Sequence, residues 1–266
     1  MNKVQRYSRS MINSLIRILI SLITFYLGIL ILKAVNWSFI ISFSYIPDGK
    51  SFLLQIYKMI TDISFYHNIL ISVYRVFMGF SIAVLVSIPL AIIVTEFAVA
   101  NYIVVPLIEL FRPIPNAAWV PLSILIFTTT NNSVLFITFV GAFFPILINT
   151  TEGLKNVNAN YIRIAKSFNV SKIRMICEVK LPAAAPNIYT GILLGMSGSW
   201  LGVVVAEMMN GESGLGYLTW VSYTVCNISE VMVCMLFIGF LGAASGLLLK
   251  TLYNKLHLGE KNGSTS

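Results

Sequence analysis

Residues 161–187 read YIRIAKSFNVSKIRMICEVKLPAAAPN, and five of the first twenty (Arg163, Lys166, Lys172, Arg174 and Lys180) are basic. Apolar runs flank this stretch, one near 133–150 and one near 188–207, each about as long as a helix needs to cross a hydrocarbon core of about 30 Å. A basic, helix-forming segment between two such runs reads as a loop joining two membrane spans. The whole composition agrees. Of 266 residues 57% are hydrophobic and only 11% charged, where a soluble domain carries about 25% charged residues, and the mean hydropathy is +0.84. Such a chain has too little polar surface to cover itself in water, and only helices or closed barrels satisfy the backbone in lipid. Long continuous apolar runs select helices, so the expected fold class is an all-α membrane protein.

Counting outward from the loop gives six spans, near 12–32, 69–94, 103–127, 133–150, 188–207 and 229–250. The third holds Pro106, Pro113, Pro115 and Pro121, so it is expected to be kinked or split, with neighbouring protein satisfying the freed carbonyls. Six spans put both termini and the 151–187 loop on one side. That side carries thirteen Lys and Arg against three (Lys33, Lys50, Lys58) on the other, and basic residues collect in the cytoplasm. Both termini are therefore expected inside. The net charge of +8 then reports topology, and a nucleic-acid partner is not expected. The basic start followed by Met11–Leu32 reads as a retained first span, because it is too long for a signal-peptide core and lacks a small-x-small cleavage site. The chain divides into 1–45, a cytoplasmic segment with the first span, a core of 46–250 containing the loop, and a polar 251–266 tail expected to be disordered.

Chemistry-bearing motifs are sparse. Gly49-Lys50-Ser51 is no nucleotide loop, because Ser44 stands where the pattern needs glycine and the segment faces outside. His67 and His257 fall near opposite faces, no nucleophile elbow, zinc-protease or paired-carboxylate motif is present, and neither a catalytic residue nor a metal ligand is expected. Cys177, Cys226 and Cys234 lack metal-ligand spacing and read as small buried residues. After the turn signal Ile46-Pro47-Asp48-Gly49, an amphipathic stretch through Phe52, Ile56 and Ile60 is expected to lie along the membrane surface. Gly191, Gly195, Gly198 and Gly202, and again Gly239, Gly242 and Gly246, recur at helical spacing. Such rows permit close helix contact, within the chain or between subunits. Charged groups inside a span cost about 2.5–3.5 kcal/mol each at mid-depth on the insertion scale. Glu109 and Arg112, three residues apart, could offset one another on a helix face or stand beside a solute path opened by the helix break at Pro113-Ile114-Pro115. Arg75 and Glu207 lie close enough to span ends to reach polar surroundings and rank lower.

The opening stretch itself reads as two short helices, 160–168 and 172–180. Ser171 caps the second, Pro182 limits its extension, and Asn169 turns the chain in a left-handed conformation. Here the sequence resembles the permease subunits of bacterial ATP-binding-cassette (ABC) importers, whose cytoplasmic loop carries Glu-Ala-Ala, three residues, Gly, nine residues, Ile-x-Leu-Pro. Aligned on Leu181-Pro182, the pattern places Val179 at the Ile, Asn169 at the Gly and Arg163-Ile164-Ala165 at the Glu-Ala-Ala. Its spacing is kept throughout and its identities at Ala165, Leu181 and Pro182. SVYRVFMGFSIAVLVSIPLA, PLIELFRPIPNAAWVPLSILIF, GAFFPILINTTEGLKNV and LPAAAPNIYTGILLGMSGSWLGVVVAEMMNGESGLGYL are similar to the subgroup for nitrate, sulfonates, taurine, bicarbonate or thiamine-pyrimidine precursors, over about residues 45–250.

The resemblance implies a MetI-like permease core in a multi-pass protein of the bacterial inner membrane. Its partners would be two ABC ATPase subunits, an extracytoplasmic solute-binding protein and a second permease, expected to be another copy of this chain. The chain would bind no cofactor of its own, ATP being used by the ATPase. Docking to the ATPase falls to Arg163, Ile164, Ala165, Lys166, Ser167, Phe168, Asn169, Val170 and Ser171, with Leu181 and Pro182 as the structural stop and Glu109, Arg112 and Pro115 near the pathway. Two departures stand out: Arg163 reverses the charge of the family's Glu, and Lys250 replaces an acidic residue near the end of the last span. An ion-gradient transporter or channel is the competing class; it would show repeated spans and buried carboxylates for coupling ions.

Overall fold

The structure, a computed structural model, describes Thr24 and residues 47–263, with side chains through Lys255. Met1–Asp48 and Gly49–Ser266 are separate units. The first expected span, near 12–32, lies outside the described residues.

The second unit is helical: α1 Gly49–Thr61, α2 Ile63–Glu96, α3 Ala98–Phe111, α4 Asn116–Ile126, α5 Thr130–Lys155, α6 Ala159–Ser167, α7 Lys172–Arg174, a π-helical turn Met175–Lys180, α8 Leu181–Asn210, α9 Leu215–Thr224 and α10 Ile228–Gly263. Among the described residues four stretches are long and apolar enough to cross a membrane, and α3 with α4 forms a fifth span bent by 104°. The bend falls where the prolines predict it. Arg112 keeps helical backbone angles, φ −52° and ψ −43°, and the break follows it, where Pro115 enters α4 as an extended N-cap with φ −63° and ψ 146°. Asp62 starts α2 by accepting a hydrogen bond from Ser64 N, and Thr129 starts α5 by accepting one from Asn132 N.

The centre is α5, packed most extensively on α8 and α2. Their contact surfaces supply the main core: Val76, Phe80 and Ala83 from α2, Val134, Ile137, Ala142 and Ile146 from α5, Met196, Trp200 and Val203 from α8. Lipid gives helices no hydrophobic drive to associate, so this contact relies on close backbone approach. A Cβ at Gly198 would overlap the Gly141 carbonyl, one at Gly141 would overlap Gly198, and Gly191, Gly195 and Gly202 also lie against α5. The α8 row is thus intrachain packing. The α10 row differs: Gly242 touches the Trp200 ring loosely, while Gly239 and Gly246 have nothing within 4 Å among the described residues. A matched pair of substitutions separates the two rows. Gly198→Val is expected to cost about 3 kcal/mol by overpacking, the upper part of the usual range because backbone rather than a movable side chain is struck. Gly246→Val should leave the thermal midpoint of the detergent-solubilised protein unchanged.

Four expectations need correction. Leu181-Pro182 is no stop. Lys180 and Leu181 are both right-handed helical, and the chain runs from Lys172 to Asn210 as one 39-residue helix. The reason is local: an α-helical proline clashes with the carbonyl four residues back, and here that residue, Glu178, lies inside the wider π turn, which makes room for the ring. Secondly, α10 continues to Gly263, so most of the tail is helical. Between Lys250 and Leu258 the sequence has no Gly or Pro, and its Leu and Lys residues favour helix. Phe52 and Ile56 in α1 pack on protein, in a cluster with Met59, Phe65, Leu215 and Val233, and only Ile60 of the three remains exposed. Finally, Cys177 and Cys226 are exposed; Cys234 alone is buried.

Candidate functional site

Sites of interest lie at three levels along the helices. At one end, α6 and α7 form the expected helix-turn-helix. Asn158 caps α6, its side chain accepting a hydrogen bond from Asn160 N. Asn169 takes a left-handed φ of 51°, which Asn tolerates better than most residues, and its N–H donates to the Lys166 carbonyl at 3.0 Å. Val170 N donates to Ala165 O, so Ala165, buried, anchors the turn while its neighbours face outward. Ser171 precedes α7 as expected, but its side chain makes no capping bond.

The outward face is both basic and apolar. Phe168 is 78% and Ile173 75% exposed, interleaved with exposed Arg163, Lys166, Lys172 and Arg174. Continuity ties this face to the membrane core, because α7, the π turn and α8 succeed one another without a break. At the junction the Lys180 ammonium pairs with the Glu96 carboxylate at the end of α2.

The second level is the α3–α4 elbow, residues 112–115. Asn116 lies against Gly141, which contacts Gly198. These glycines sit near the middle of α5 and of α8, so the elbow is at mid-membrane depth. Glu109, Arg112 and Pro115 are all exposed there. Glu109 and Arg112 do not pair with each other; the ion pairs among the described residues are Arg75–Glu207 and Lys180–Glu96.

The third level, at the other end, holds a cluster that the sequence pattern undervalues. Arg75 and Glu207 do not reach out to solvent: their side chains are 5% and 0% exposed, and Nη1 lies 2.9 Å from Oε1. Ser72 Oγ lies 2.9 and 2.8 Å from the two carboxylate oxygens, and Gly216 N donates to Oε2 at 2.9 Å. Arg75 further donates to Asn131 Oδ1 at 3.0 Å and to the Ser213 carbonyl at 2.8 Å. Leu215 N donates to Ser72 Oγ at 2.8 Å, and Gly214 N to Asn68 Oδ1 at 2.7 Å. The N–H groups that open α9 thus end on Ser72 and on Glu207, a carboxylate at a helix N-terminus. Together the bonds pin the 211–214 turn and α9 to α2 and α5. Gly214, at φ 112°, is required: a Cβ there would overlap the Glu207 carboxylate. Two signals point here, Ser72 and Arg75 one helical turn apart and Glu207 followed by Gly211, Gly214 and Gly216.

Among the described residues no group of three His, Cys, Asp or Glu converges as a metal site would. The arrangement suits binding and movement: a docking face, a mid-depth break in a span, and a pinned outer turn.

Residues 87–258 match the family of binding-protein-dependent transport system inner membrane components. The chain belongs to that family. Among its relatives in this permease family, an ABC transporter permease protein of Methanocaldococcus jannaschii is 42% identical over 66% of each chain. The nitrate import permease protein NrtB of a Synechocystis species is 32% identical over 75% of this chain and 76% of its own length. The alignments thus span about two thirds to three quarters of these relatives. The inward-facing methionine ABC transporter MetNI matches in structure with a TM-score of 0.55 at 17% identity, over 69% of this chain and 95% of that one, which supports the MetI-like fold. The matched region contains the elbow, the basic loop and Glu207, and it makes the chain a multi-pass inner-membrane permease component, a transport class rather than an enzyme class.

Proposed function

We propose that two copies of this chain form the solute pathway of an ATP-driven importer, with two ABC ATPase subunits docked on residues 163–171 and an extracytoplasmic solute-binding protein delivering a small solute. The observation that carries this reading is the exposed face of Ile164, Phe168 and Ile173 among Arg163, Lys166, Lys172 and Arg174, on a loop continuous with α8. Water-exposed apolar side chains ringed by charge suit a partner protein better than solvent. The sequence carries no nucleotide-loop motif, which supports energy entering through that partner.

Mechanically, a push on the loop travels into α8 because the π turn is helical throughout, and into α2 through Lys180–Glu96. The glycine contact makes α8 and α5 move as a body. Glu109, Arg112 and Pro115 line the path, where the broken α3–α4 span can bend without unfolding a helix. The imbalance of Lys and Arg supports a cytoplasmic loop and cytoplasmic termini. The transported solute is a small anion of the nitrate or bicarbonate kind or a sulfonate; support comes from the nitrate import relative and from Arg112, a cation at mid-depth.

The test is recovery of the partner. The tagged chain, extracted from native membranes in mild detergent, is expected to bring down an ABC ATPase, and proteoliposomes of the complex with the binding protein should take up labelled solute only with MgATP. Recovery of the intact chain without any ATPase, or uptake abolished by an ionophore and indifferent to ATP, would refute the reading.

A further inference from the structure

Glu109 and Arg112 at the elbow make no ion pair among the described residues. We propose that Glu109 of one copy forms an ion pair with Arg112 of a second copy of this chain, and that the reciprocal pair completes the site on the two-fold axis. This rests on the proposal that two copies make up the permease.

Three observations converge on it. Both groups are exposed on the chain, level with Gly141 and Gly198 in the middle of the neighbouring spans. Neither makes an ion pair within 4 Å among the described residues, unlike Arg75, Glu207, Lys180 and Glu96. The surface around them is apolar and equally uncovered: Leu107 is 49%, Leu110 65% and Leu125 84% exposed. Charges in such a place face a partner or an aqueous path, since facing lipid is costly.

A second copy is the occupant whose charge complements this surface in the required order. In an isologous contact, residue i meets residue j while j meets i, so a surface carrying one acid and one base three residues apart matches its own image. Two copies in one membrane run parallel, and three residues of helix rise about 4.5 Å. A long Arg and a Glu bridge that offset diagonally. Among the described residues each copy leaves both charges without an ion pair, and the proposed pair exists only in the dimer. Because α3–α4 is the broken span, the pairs would close the path at mid-depth, and an anionic solute reaching Arg112 would compete with Glu109 for it.

Two differently tagged copies, with Cys177 and Cys226 changed to Ser and Cys234 to Ala, test the geometry. One carries Glu109→Cys and the other Arg112→Cys, and membranes containing both are treated with a short bis-methanethiosulfonate reagent, because the Cα separation across a Glu–Arg pair exceeds the reach of a disulfide. A reductant-sensitive species bearing both tags is expected, and it should not form when either copy is expressed alone. In parallel, the masses of detergent complexes of the cysteine-intact chain should show at least a tenfold smaller dimer fraction for Arg112→Glu, and recovery for Glu109→Arg/Arg112→Glu. If the two tags co-purify but no cross-link forms, or if Arg112→Glu leaves the dimer intact, the ion pair is wrong while the two-copy reading stands. If the tags do not co-purify at all, both fall.

Discussion

Glu207→Ala is expected to lower the stability of the detergent-solubilised protein by about 3–5 kcal/mol, the cost of stranding one partner of a buried ion pair. Arg75 would be left with its side chain 5% exposed and its counter-charge gone, and the Gly216 N–H that opens α9 would lose its acceptor as well. Arg75→Ala should cost a similar amount, because a carboxylate with no exposed surface is then uncompensated. The double variant Arg75→Met/Glu207→Met separates the value of the pair from the cost of breaking it. Removing both charges removes the desolvation penalty with them, and buried pairs replaced by packed apolar groups are often neutral or stabilised. Its thermal midpoint should therefore lie well above either single variant. Equal destabilisation in all three would mean that the 211–214 turn depends on the hydrogen bonds that Arg75 makes to Ser213 and Glu207 makes to Ser72 and Gly216, not on charge balance. Gly214→Ala is a charge-free route to the same collapse, since its Cβ would enter the space of the carboxylate. Loss of the pinned turn should abolish uptake even where protein survives, because α9 is then free of α2.

Four of the six spans and the split in a fifth were legible in the sequence, because hydropathy and proline act locally. A run of about 20 apolar residues is helical in lipid whatever its neighbours, and Pro113 and Pro115 interrupt α3–α4 through their own missing N–H groups and ring sterics. The left-handed Asn169 was legible for the same reason. What escaped depends on groups distant in sequence or on a change of helix type. Glu207 lies 132 residues from Arg75, and position near a span end says nothing about whether another helix covers it. The outcome at Pro182 turned on whether the preceding turn is α or π, and the six residues Met175–Lys180 carry no composition that announces it. The glycines divide likewise: equal spacing in α8 and α10 conceals that one row meets α5 while most of the other meets nothing described.

Phe168→Ala should weaken docking of the ATPase by about 30- to 1000-fold, the range of a hot-spot aromatic worth about 2–4 kcal/mol. The side chain is 78% exposed, so its loss should change folding stability by no more than about 0.5 kcal/mol. That combination distinguishes an interface residue from a structural one. Arg163→Glu restores the acidic residue seen in the resembling loop pattern, and the consequence depends on what faces it. If the ATPase groove carries compensating acids, reversal places like charges together and uptake is lost while membrane insertion and solute-binding-protein docking persist. Arg163→Lys, which keeps the charge but not the forked geometry, should retain most activity if the contact is a diffuse charge match and little if it is bidentate. The measurement is ATP-dependent uptake beside the ATP hydrolysis of the same proteoliposomes. Docking through this face predicts that both fall together for Phe168→Ala. Wild-type uptake by both Phe168→Ala and Arg163→Glu would remove residues 163–171 from the coupling path and leave the basic charge of the loop as an orientation signal alone.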